Sequence, residues 1–372
     1  DVIRGRAVSG DGGVVFVFGG QGSQWVGMGR ELLESSEGFA RRLGECAVAL
    51  ERWVGFSVVD VVRGGAGAPL LERVDVIQPV LFAVMVSLAE LWRECGVAPA
   101  AVVGHSQGEV AAACVAGVLS LEDAARVVGV RSRLLVGVAG SGGMVAIGCG
   151  ADEAAGLIER FGVGLSVAAV NGPVSVVVSG PADLLEGFVA GCRGVGISAR
   201  QVDVDYASHS SGMEVLREGL DARLGSLSGA DGGVGFYSSV TGGLLSGTEV
   251  DGAYWFKNVR ERVLFGDAVK ACVGDGFRLF VEVSPHPVLC GAVGDVAGDV
   301  GVEVGVVGSV RRGEGGAGRF VRSLAEAWVV GVPVAWDRVV GASDATSGSA
   351  VVGVVPTYPF EHERFWLTPE PT

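Results

Sequence analysis

A serine lies in a glycine-rich turn of the kind that presents a catalytic nucleophile. Gly104 to Gly108 reads Gly-His-Ser-Gln-Gly, which matches the pattern Gly-x-Ser-x-Gly. The apolar run Pro99 to Val103 precedes it and predicts a strand, and the alanine-rich stretch Glu109 to Leu119 follows it and predicts a helix. A strand–turn–helix of this kind presents the hydroxyl at a helix N-terminus, where N–H groups favour developing negative charge. Ser106 is therefore the predicted nucleophile.

A serine hydroxyl needs a base, and the chain has four histidines, at positions 105, 209, 286 and 362. His105 adjoins Ser106, and because successive side chains diverge in such a turn we expect it to support the site. His362 lies among charged residues and is predicted to be at the surface. His209, which ends a Tyr-Ala-Ser-His stretch, is the preferred base. His286 follows a predicted strand and stays open, since the sequence separates these two only weakly.

Two further features could bind negative charge near the nucleophile. The turn Gly20 to Gln24 follows the apolar run Val14 to Phe18, and its backbone N–H groups could face an oxyanion. It lacks the Gly-Lys-Ser/Thr ending of a phosphate loop. Arg131 falls on the helix after Glu109 to Leu119, and a guanidinium holds a carboxylate through two parallel hydrogen bonds. From the pattern alone, the Gly20 to Gln24 segment could also be an ordinary tight turn. For Arg131, the pattern alone favours a solvated arginine on the helix surface.

The elements that position these residues predict an α/β fold in two parts. Residues 142–204 show the order β-α-β-β-α-β of a small ferredoxin-like subdomain, which we expect to be inserted into a larger one. The larger subdomain is predicted to be α/β-hydrolase-like, with a parallel sheet, and to comprise residues 1–141 and 205–330. Residues 331–372 are predicted to be a linker that packs back onto the domain. Its aromatic side chains are Tyr358, Phe360, Phe365 and Trp366.

Three helix boundaries follow from local signals. Val26 to Leu33 is predicted to be helical after the Gly20 to Gln24 turn. Pro79 to Cys95 is predicted to be an apolar helix with its proline in the first turn, a position that proline tolerates. Ser120 is predicted to be the N-cap of the helix that carries Arg131.

Composition excludes several classes of function. With 28 basic and 42 acidic residues the net charge is −14, which argues against nucleic-acid binding. The seven cysteines contain no Cys-x-x-Cys pair, so we expect reduced thiols, no metal site and a cytoplasmic location. The longest uncharged apolar stretch, Val76 to Ala89, is too short to span a bilayer, so no membrane association is expected. The chain starts with Asp1 and is expected to be part of a longer polypeptide.

Taken together, the motifs resemble those of the acyltransferase domain of modular type I polyketide synthases, relatives of the malonyl-CoA:carrier-protein transacylases. The resemblance covers nearly the whole chain, and the stretches that carry it are 17–29 (VFGGQGSQWVGMG), 73–79 (RVDVIQP), 104–109 (GHSQGE), 206–209 (YASH), 254–260 (YWFKNVR), 282–289 (EVSPHPVL) and 356–366 (PTYPFEHERFW).

The resemblance implies a role for each candidate residue. Ser106 looks like the acyl-carrying nucleophile and His209 like its base, oriented by main-chain carbonyls instead of an acid. Gln21 and Gln107 look like the oxyanion-hole positions, and Arg131 like the clamp on the free carboxylate of the substrate. The implied partners are an acyl-CoA extender unit, the phosphopantetheine of a carrier protein and, through the linkers, a neighbouring ketosynthase, with no further cofactor.

The resemblance also indicates an acyl group. In this family a Tyr-Ala-Ser-His stretch accompanies methylmalonyl, and Gln107 matches the same group. Tyr206, Ser208 and Gln107 are therefore the predicted selectivity residues, and Ser208 leaves room where a phenylalanine would occupy the space of the α-methyl. Malonyl or ethylmalonyl selectivity and a serine hydrolase or esterase remain alternatives. One departure from the family is Gly19, which stands where proline is usual.

Overall fold

A computed structural model describes residues 2–8, 10 and 12–340 of the chain. The strands in these residues are β1 Val14–Phe18, β2 Pro99–Gly104, β3 Gly143–Ile147, β4 Ser166–Gly172, β5 Ser175–Gly180, β6 Ala199–Val202, β7 Gly235–Ser238, β8 Gly243–Leu244, β9 Leu279–Glu282 and β10 Gly305–Gly308.

The α-helices in the same residues are α1 Arg30–Ser35, α2 Glu37–Leu50, α3 Val58–Arg63, α4 Val74–Glu94, α5 Gly108–Ala116, α6 Leu121–Leu135, α7 Ala151–Phe161, α8 Ala182–Gly194, α9 Arg217–Leu224, α10 Gly252–Arg260, α11 Phe265–Gly274, α12 Cys290–Asp299, α13 Ala317–Val329 and α14 Trp336–Val339. Short 3₁₀ turns occur at Val136–Val138, Ser211–Leu216 and Gly247–Glu249.

The larger sheet has the strand order β10-β9-β1-β2-β7-β8, and every pair except β7 with β8 is parallel. Strand β1 is buried along its whole length, as expected for a parallel strand covered by helices on both faces. In the register of β1 and β2, Phe18 lies beside Gly104. Since parallel strands end at the same edge, the turn after β1 and the Ser106 turn after β2 meet there.

A second sheet with the order β4-β5-β3-β6 is antiparallel throughout. Its strands and the helices α7 and α8 follow each other as β-α-β-β-α-β, and they all lie between positions 143 and 202. The chain therefore combines a parallel α/β body with a ferredoxin-like unit, which is the predicted fold class.

Strand β4 of the antiparallel sheet forms backbone hydrogen bonds with a segment of the parallel α/β body. Its Val170 N–H donates to the Val263 carbonyl at 2.9 Å, and the Val263 N–H donates to the Ala168 carbonyl at 2.9 Å. The small unit thus pairs with the segment between α10 and α11, close to the ends of the parallel strands. This pairing holds the ferredoxin-like unit over the edge where Ser106 lies.

Helix α4 begins earlier than the sequence predicted. It runs from Val74, so Pro79 lies inside it and not in its first turn. A proline removes the hydrogen bond of its missing N–H and its ring crowds the carbonyl four residues earlier, here that of Asp75. The buried apolar residues on either side of Pro79 keep the helix continuous nonetheless. The helix has 21 residues and is apolar enough for a bilayer by composition, but 89% of its most apolar window is buried inside the protein. It is a core helix.

The predicted helix Val26 to Leu33 was also wrong in part. Gly27 and Gly29 adopt left-handed backbone angles, with φ of 93° and 77°, so helix α1 starts only at Arg30. A left-handed residue cannot continue a right-handed helix. Ser120 does cap α6 as predicted, since its hydroxyl accepts from the Asp123 N–H at 3.0 Å.

The predicted packing of the linker lies largely outside the described residues. Its aromatic side chains and His362 all fall after position 340. Within the described part, Trp336 of α14 forms an edge-to-face pair with Trp328 of α13, with ring centroids 6.2 Å apart.

The Ser106 turn is packed so closely against β1 that Gly108 has no room for a side chain. A Cβ built there would lie 2.4 Å from the carbonyl oxygens of both Phe18 and Gly19. We expect Gly108→Ala to lower the free energy of unfolding by about 1–3 kcal/mol or more, because backbone atoms must move to accept it. Denaturant unfolding measures this.

Gly187, inside α8, is the matched control, since a Cβ there meets no atom of the described residues within 4 Å. Gly187→Ala is expected to raise the free energy of unfolding by roughly 0.5–1 kcal/mol. Equal stability of Gly108→Ala and the natural protein would contradict the packing argument.

Candidate active site

Backbone strain in the described residues is concentrated at the two predicted reactive residues. Ser106 has φ of 53° and His209 has φ of 59°, and they are the only non-glycine residues with positive φ between positions 2 and 340 that the structure describes. Such angles cost of order 1–3 kcal/mol each and persist only where the surroundings enforce them. Both residues are therefore held in fixed, strained positions.

Ser106 and His209 are in direct contact. Ser106 Oγ lies 2.8 Å from His209 Nε2, and His209 Nδ1 lies 2.8 Å from the carbonyl oxygen of Glu261. A carbonyl only accepts hydrogen bonds, so Nδ1 must carry the proton and Nε2 is free to accept from the serine hydroxyl. The geometry is that of a serine with a base whose tautomer is set by the main chain.

The imidazole of His209 is neutral in this environment. Burial lowers its pKa first, and the positive charge of Arg131 lowers it further, to about 3. The hydrogen bond to Glu261 opposes this fall only in part. At any pH near neutrality, His209 can therefore accept a proton.

Arg131 lies on α6 and points at the same hydroxyl. Its Nη2 donates to Ser106 Oγ at 3.1 Å, its Nη1 donates to Asn258 Oδ1 at 2.6 Å, and its Nε has no partner among the described residues. The residue is only 2% exposed, and burial lowers its pKa to about 10, so it stays charged near neutrality. In the described part of the chain Arg131 pairs with no acidic side chain, so its charge is available to an anion. It is not a solvated surface arginine.

Two backbone N–H groups beside the serine are unused. Neither the Gln21 N–H nor the Gln107 N–H donates to an acceptor among the described residues. Gln107 immediately precedes helix α5, whose N-terminal dipole favours negative charge. Gln21 and Gln107 both line the cavity that contains Ser106, and the oxyanion-hole role of their amides stays a prediction.

These groups share one cavity of about 100 Å³. The larger part of its wall comes from the body, with Gln21, Gln78, His105, Ser106, Gln107, Arg131, Tyr206, Ser208 and His209, and the ferredoxin-like unit adds Met144, Ala169, Val177 and Val202. The Tyr206 hydroxyl donates to Gln21 Oε1 at 2.9 Å and accepts from Gln78 Nε2 at 3.4 Å. The three predicted selectivity residues, Tyr206, Ser208 and Gln107, therefore all line the wall.

The other histidines are placed differently. His105 Nε2 lies 2.8 Å from Asn171 Oδ1 on β4, and its ring packs 5.6 Å from that of Phe265. Burial lowers the pKa of His105. His286 Nδ1 accepts from the Arg312 N–H at 3.3 Å and lies outside the cavity wall, so its candidacy as base is wrong.

The sequence did not single out three polar residues of the site. Asn258 donates to the Ser106 carbonyl at 3.2 Å and accepts from Arg131, Gln78 lines the cavity with an unpartnered Oε1, and Glu109 is fully buried behind Asn258. All three fall inside the motif stretches that carried the family resemblance. Their type and spacing gave no signal because each acts through residues distant in sequence.

Comparison with known proteins decides the family. The model of the family described as "Acyl transferase domain" matches residues 15–334. The chain belongs to this acyl transferase family. Its fold is that of solved acyltransferase domains of polyketide synthases, and the family resemblance of the sequence motifs is confirmed.

Relatives that are about half identical to this chain over the aligned residues include polyketide synthases. This acyl transferase domain is 50% identical over 372 residues to mycoketide-CoA synthase of Mycobacterium tuberculosis, covering 99% of the chain and 9% of the relative. It is 49% identical over 358 residues to erythronolide synthase EryA2 of Saccharopolyspora erythraea, covering 96% and 10%. The chain thus spans about a tenth of the length of these relatives.

Solved structures agree. The acyltransferase domain from module 8 of the salinomycin polyketide synthase superimposes with a TM-score of 0.87 at 51% identity, over 90% of this chain and 79% of that one. FabD from Acinetobacter baumannii superimposes with a TM-score of 0.72 at 26% identity, over 85% and 98%.

The neutral state of His209 predicts a flat pH profile for Ser106 reactivity. With the uncharged serine reagent phenylmethylsulfonyl fluoride, we expect the rate of adduct formation to stay within about twofold between about pH 8 and about pH 5. An imidazole with an ordinary pKa of about 6.5 would slow the reaction roughly 30-fold at the lower pH. Intact-protein mass spectrometry measures the rate, with Ser106→Ala as the blank. A fall in the rate of adduct formation centred near the ordinary imidazole pKa would contradict the conclusion that His209 is neutral.

Proposed function

We propose that this acyl transferase domain loads a methylmalonyl group from coenzyme A onto Ser106 and passes it to the phosphopantetheine thiol of a carrier protein. The observation that carries the proposal is the position of Ser106 Oγ, 2.8 Å from a neutral imidazole and 3.1 Å from a guanidinium that has no acidic partner in the described part of the chain. The first group activates the hydroxyl, and the second fits a substrate that carries a free carboxylate.

The first half-reaction forms the acyl-enzyme. His209 Nε2 takes the hydroxyl proton as Ser106 Oγ attacks the thioester carbonyl. The oxyanion develops against the Gln21 and Gln107 N–H groups. Collapse of this intermediate breaks the carbon–sulfur bond, and the proton on His209 goes to the departing thiolate of coenzyme A.

The second half-reaction reverses these roles with another thiol. The phosphopantetheine thiol of the carrier protein gives its proton to His209 and attacks the ester on Ser106. The serine oxygen then leaves and regains the proton. No other cofactor enters this scheme, and a neighbouring ketosynthase is the proposed consumer of the loaded carrier.

The cavity wall supports methylmalonyl as the acyl group. Ser208 is 5% exposed, lies in the wall beside His209, and ends its side chain at a hydroxyl where a phenylalanine would fill the space. The Tyr206 hydroxyl is held by Gln21, so the tyrosine ring is fixed next to that space. One buried methyl group is worth about 1–3 kcal/mol, so we expect preference over malonyl without complete exclusion.

A serine hydrolase or esterase is less well supported. In such enzymes the triad follows the chain order Ser, then Asp or Glu, then His, and an acid orients the histidine. Here His209 is oriented by the Glu261 carbonyl, not by its carboxylate. The guanidinium of Arg131 in the cavity has no use in cleaving a neutral ester.

Competition between acyl-CoA thioesters tests the proposal. The protein is mixed with malonyl-, methylmalonyl- and ethylmalonyl-CoA together, and intact-protein mass spectrometry resolves adducts that differ by one methylene. We expect a methylmalonyl adduct that persists in water, disappears on addition of a carrier-protein thiol, and is absent from Ser106→Ala. A dominant malonyl or ethylmalonyl adduct would overturn the substrate assignment, and an adduct that hydrolyses at once would favour the hydrolase.

Removing the guanidinium tests the carboxylate clamp. We expect Arg131→Ala to slow methylmalonyl loading roughly 10- to 100-fold, since hydrogen bonds to charged groups contribute about 1.5–3 kcal/mol. Loading of the neutral acetyl and propionyl groups should improve relative to methylmalonyl loading in the same variant. The control is Arg133→Ala, an exposed residue of the same helix whose nearest acceptor is the Trp53 carbonyl at 3.5 Å. An unchanged substrate profile in Arg131→Ala would defeat the assignment.

A further inference from the structure

A buried carboxylate lies behind the active site and takes no part in the proposed chemistry. Glu109 is 0% exposed and belongs to the first turn of α5. Its Oε1 accepts from the Ser239 N–H at 2.8 Å and from the Tyr254 hydroxyl at 2.8 Å, and its Oε2 accepts from Asn258 Nδ2. No Lys or Arg in the described ranges forms an ion pair with it. Buried carboxylates are normally paired, so this arrangement needs an explanation.

Asn258 connects Glu109 to the site. Its Nδ2 donates to Glu109 Oε2 and to the Ser106 carbonyl, and its Oδ1 accepts from Arg131 Nη1. An ionised carboxylate only accepts hydrogen bonds, so the NH₂ group of Asn258 must face Glu109. The amide oxygen of Asn258 must then face Arg131.

We propose that Glu109 is a positioning residue that fixes the Asn258 amide and thereby holds Arg131 charged and free for the substrate carboxylate. The Glu109 carboxylate stabilises the Arg131 guanidinium through the Asn258 side-chain amide that lies between them. If the Glu109 carboxylate contacted Arg131 directly, it would accept the guanidinium hydrogen bonds that the substrate carboxylate needs. The inference rests on the proposed function, because it concerns how the carboxylate clamp is held.

The charges support this arrangement. Burial lowers the pKa of Arg131, and the neighbouring Tyr206 and, after it, the carboxylate of Glu109 oppose that fall. Arg131 forms no ion pair with an acidic side chain in the described residues. Burial raises the pKa of Glu109 to about 7, while its Tyr254, Ser239 and Asn258 donors oppose that rise. The test is therefore made at about pH 8, where the carboxylate is ionised.

The first test is Glu109→Gln. The amide oxygen of Gln must stay on the fixed Ser239 N–H, so its NH₂ group would meet that of Asn258 and force the latter to flip toward Arg131. Loading rates are measured for methylmalonyl-CoA and for propionyl-CoA, which lacks only the carboxylate. We expect methylmalonyl loading to fall roughly 10- to 100-fold and propionyl loading to change less than about threefold. Equal losses for both thioesters would overturn the proposal.

The second test moves the negative charge instead of deleting it. In the double variant Glu109→Gln with Asn258→Asp, the network keeps one carboxylate, but that carboxylate now contacts Arg131. The proposal expects methylmalonyl loading to stay low relative to propionyl loading, because an internal anion competes with the substrate. Recovery of methylmalonyl loading in the double variant would contradict it, and this comparison stands even if Glu109→Gln alone folds poorly.

Glu282 provides the matched control. It is also a buried carboxylate, 1% exposed, and accepts from the N–H groups of Val288, Leu289 and Cys290. Glu282→Gln should lower stability without changing the ratio of the two loading rates. If the natural protein forms no adduct at Ser106, the proposed function fails. If it loads normally and Arg131→Ala shifts the ratio but Glu109→Gln does not, only the inference about Glu109 fails.

Discussion

The site depends on how closely the turn after β2 packs against the end of β1. Gly108 leaves no space between its backbone and the carbonyls of Phe18 and Gly19, and a Cβ at Gly104 would lie 2.3 Å from the Glu109 Cα. The chain between these glycines can only pass as a sharp bend, which forces Ser106 into a left-handed conformation. Side chains larger than hydrogen at either glycine would relax that bend and withdraw the hydroxyl from His209.

The site also depends on the burial of its polar side chains away from solvent. His209, Arg131 and Gln107 are each less than 5% exposed, so the groups that would hydrogen-bond to water must find protein or substrate partners instead. Within the described ranges, both side-chain polar atoms of Gln107 and the Nε of Arg131 have no hydrogen-bond partner. Leaving buried polar groups unpaired costs about 1–3 kcal/mol each. Under the proposed function, a substrate with a free carboxylate would recover part of that cost by pairing with Arg131.

Local patterns predicted much of this structure, and long-range contacts account for what they missed. The apolar runs predicted the strands, and the Gly-x-Ser-x-Gly pattern predicted the Ser106 turn. Both kinds of feature depend mainly on residues that are neighbours in sequence. Helix α1 was misplaced because the left-handed angles of Gly27 and Gly29 depend on packing that the sequence does not display. His209 could not be separated from His286 by residue pattern, since only the folded chain brings position 209 to position 106. Asn258 was missed for the same reason.

The contact between His105 and Asn171 has a consequence for the modularity of the fold. Asn171 belongs to the ferredoxin-like unit, yet its side chain lies 2.8 Å from the imidazole that adjoins the nucleophile. The ferredoxin-like unit is therefore not an independent lid that can be exchanged at its two connecting segments. A chimaera with another small unit would need to reproduce this amide and the pairing of Val170 with Val263, or the serine turn would lose its lateral support.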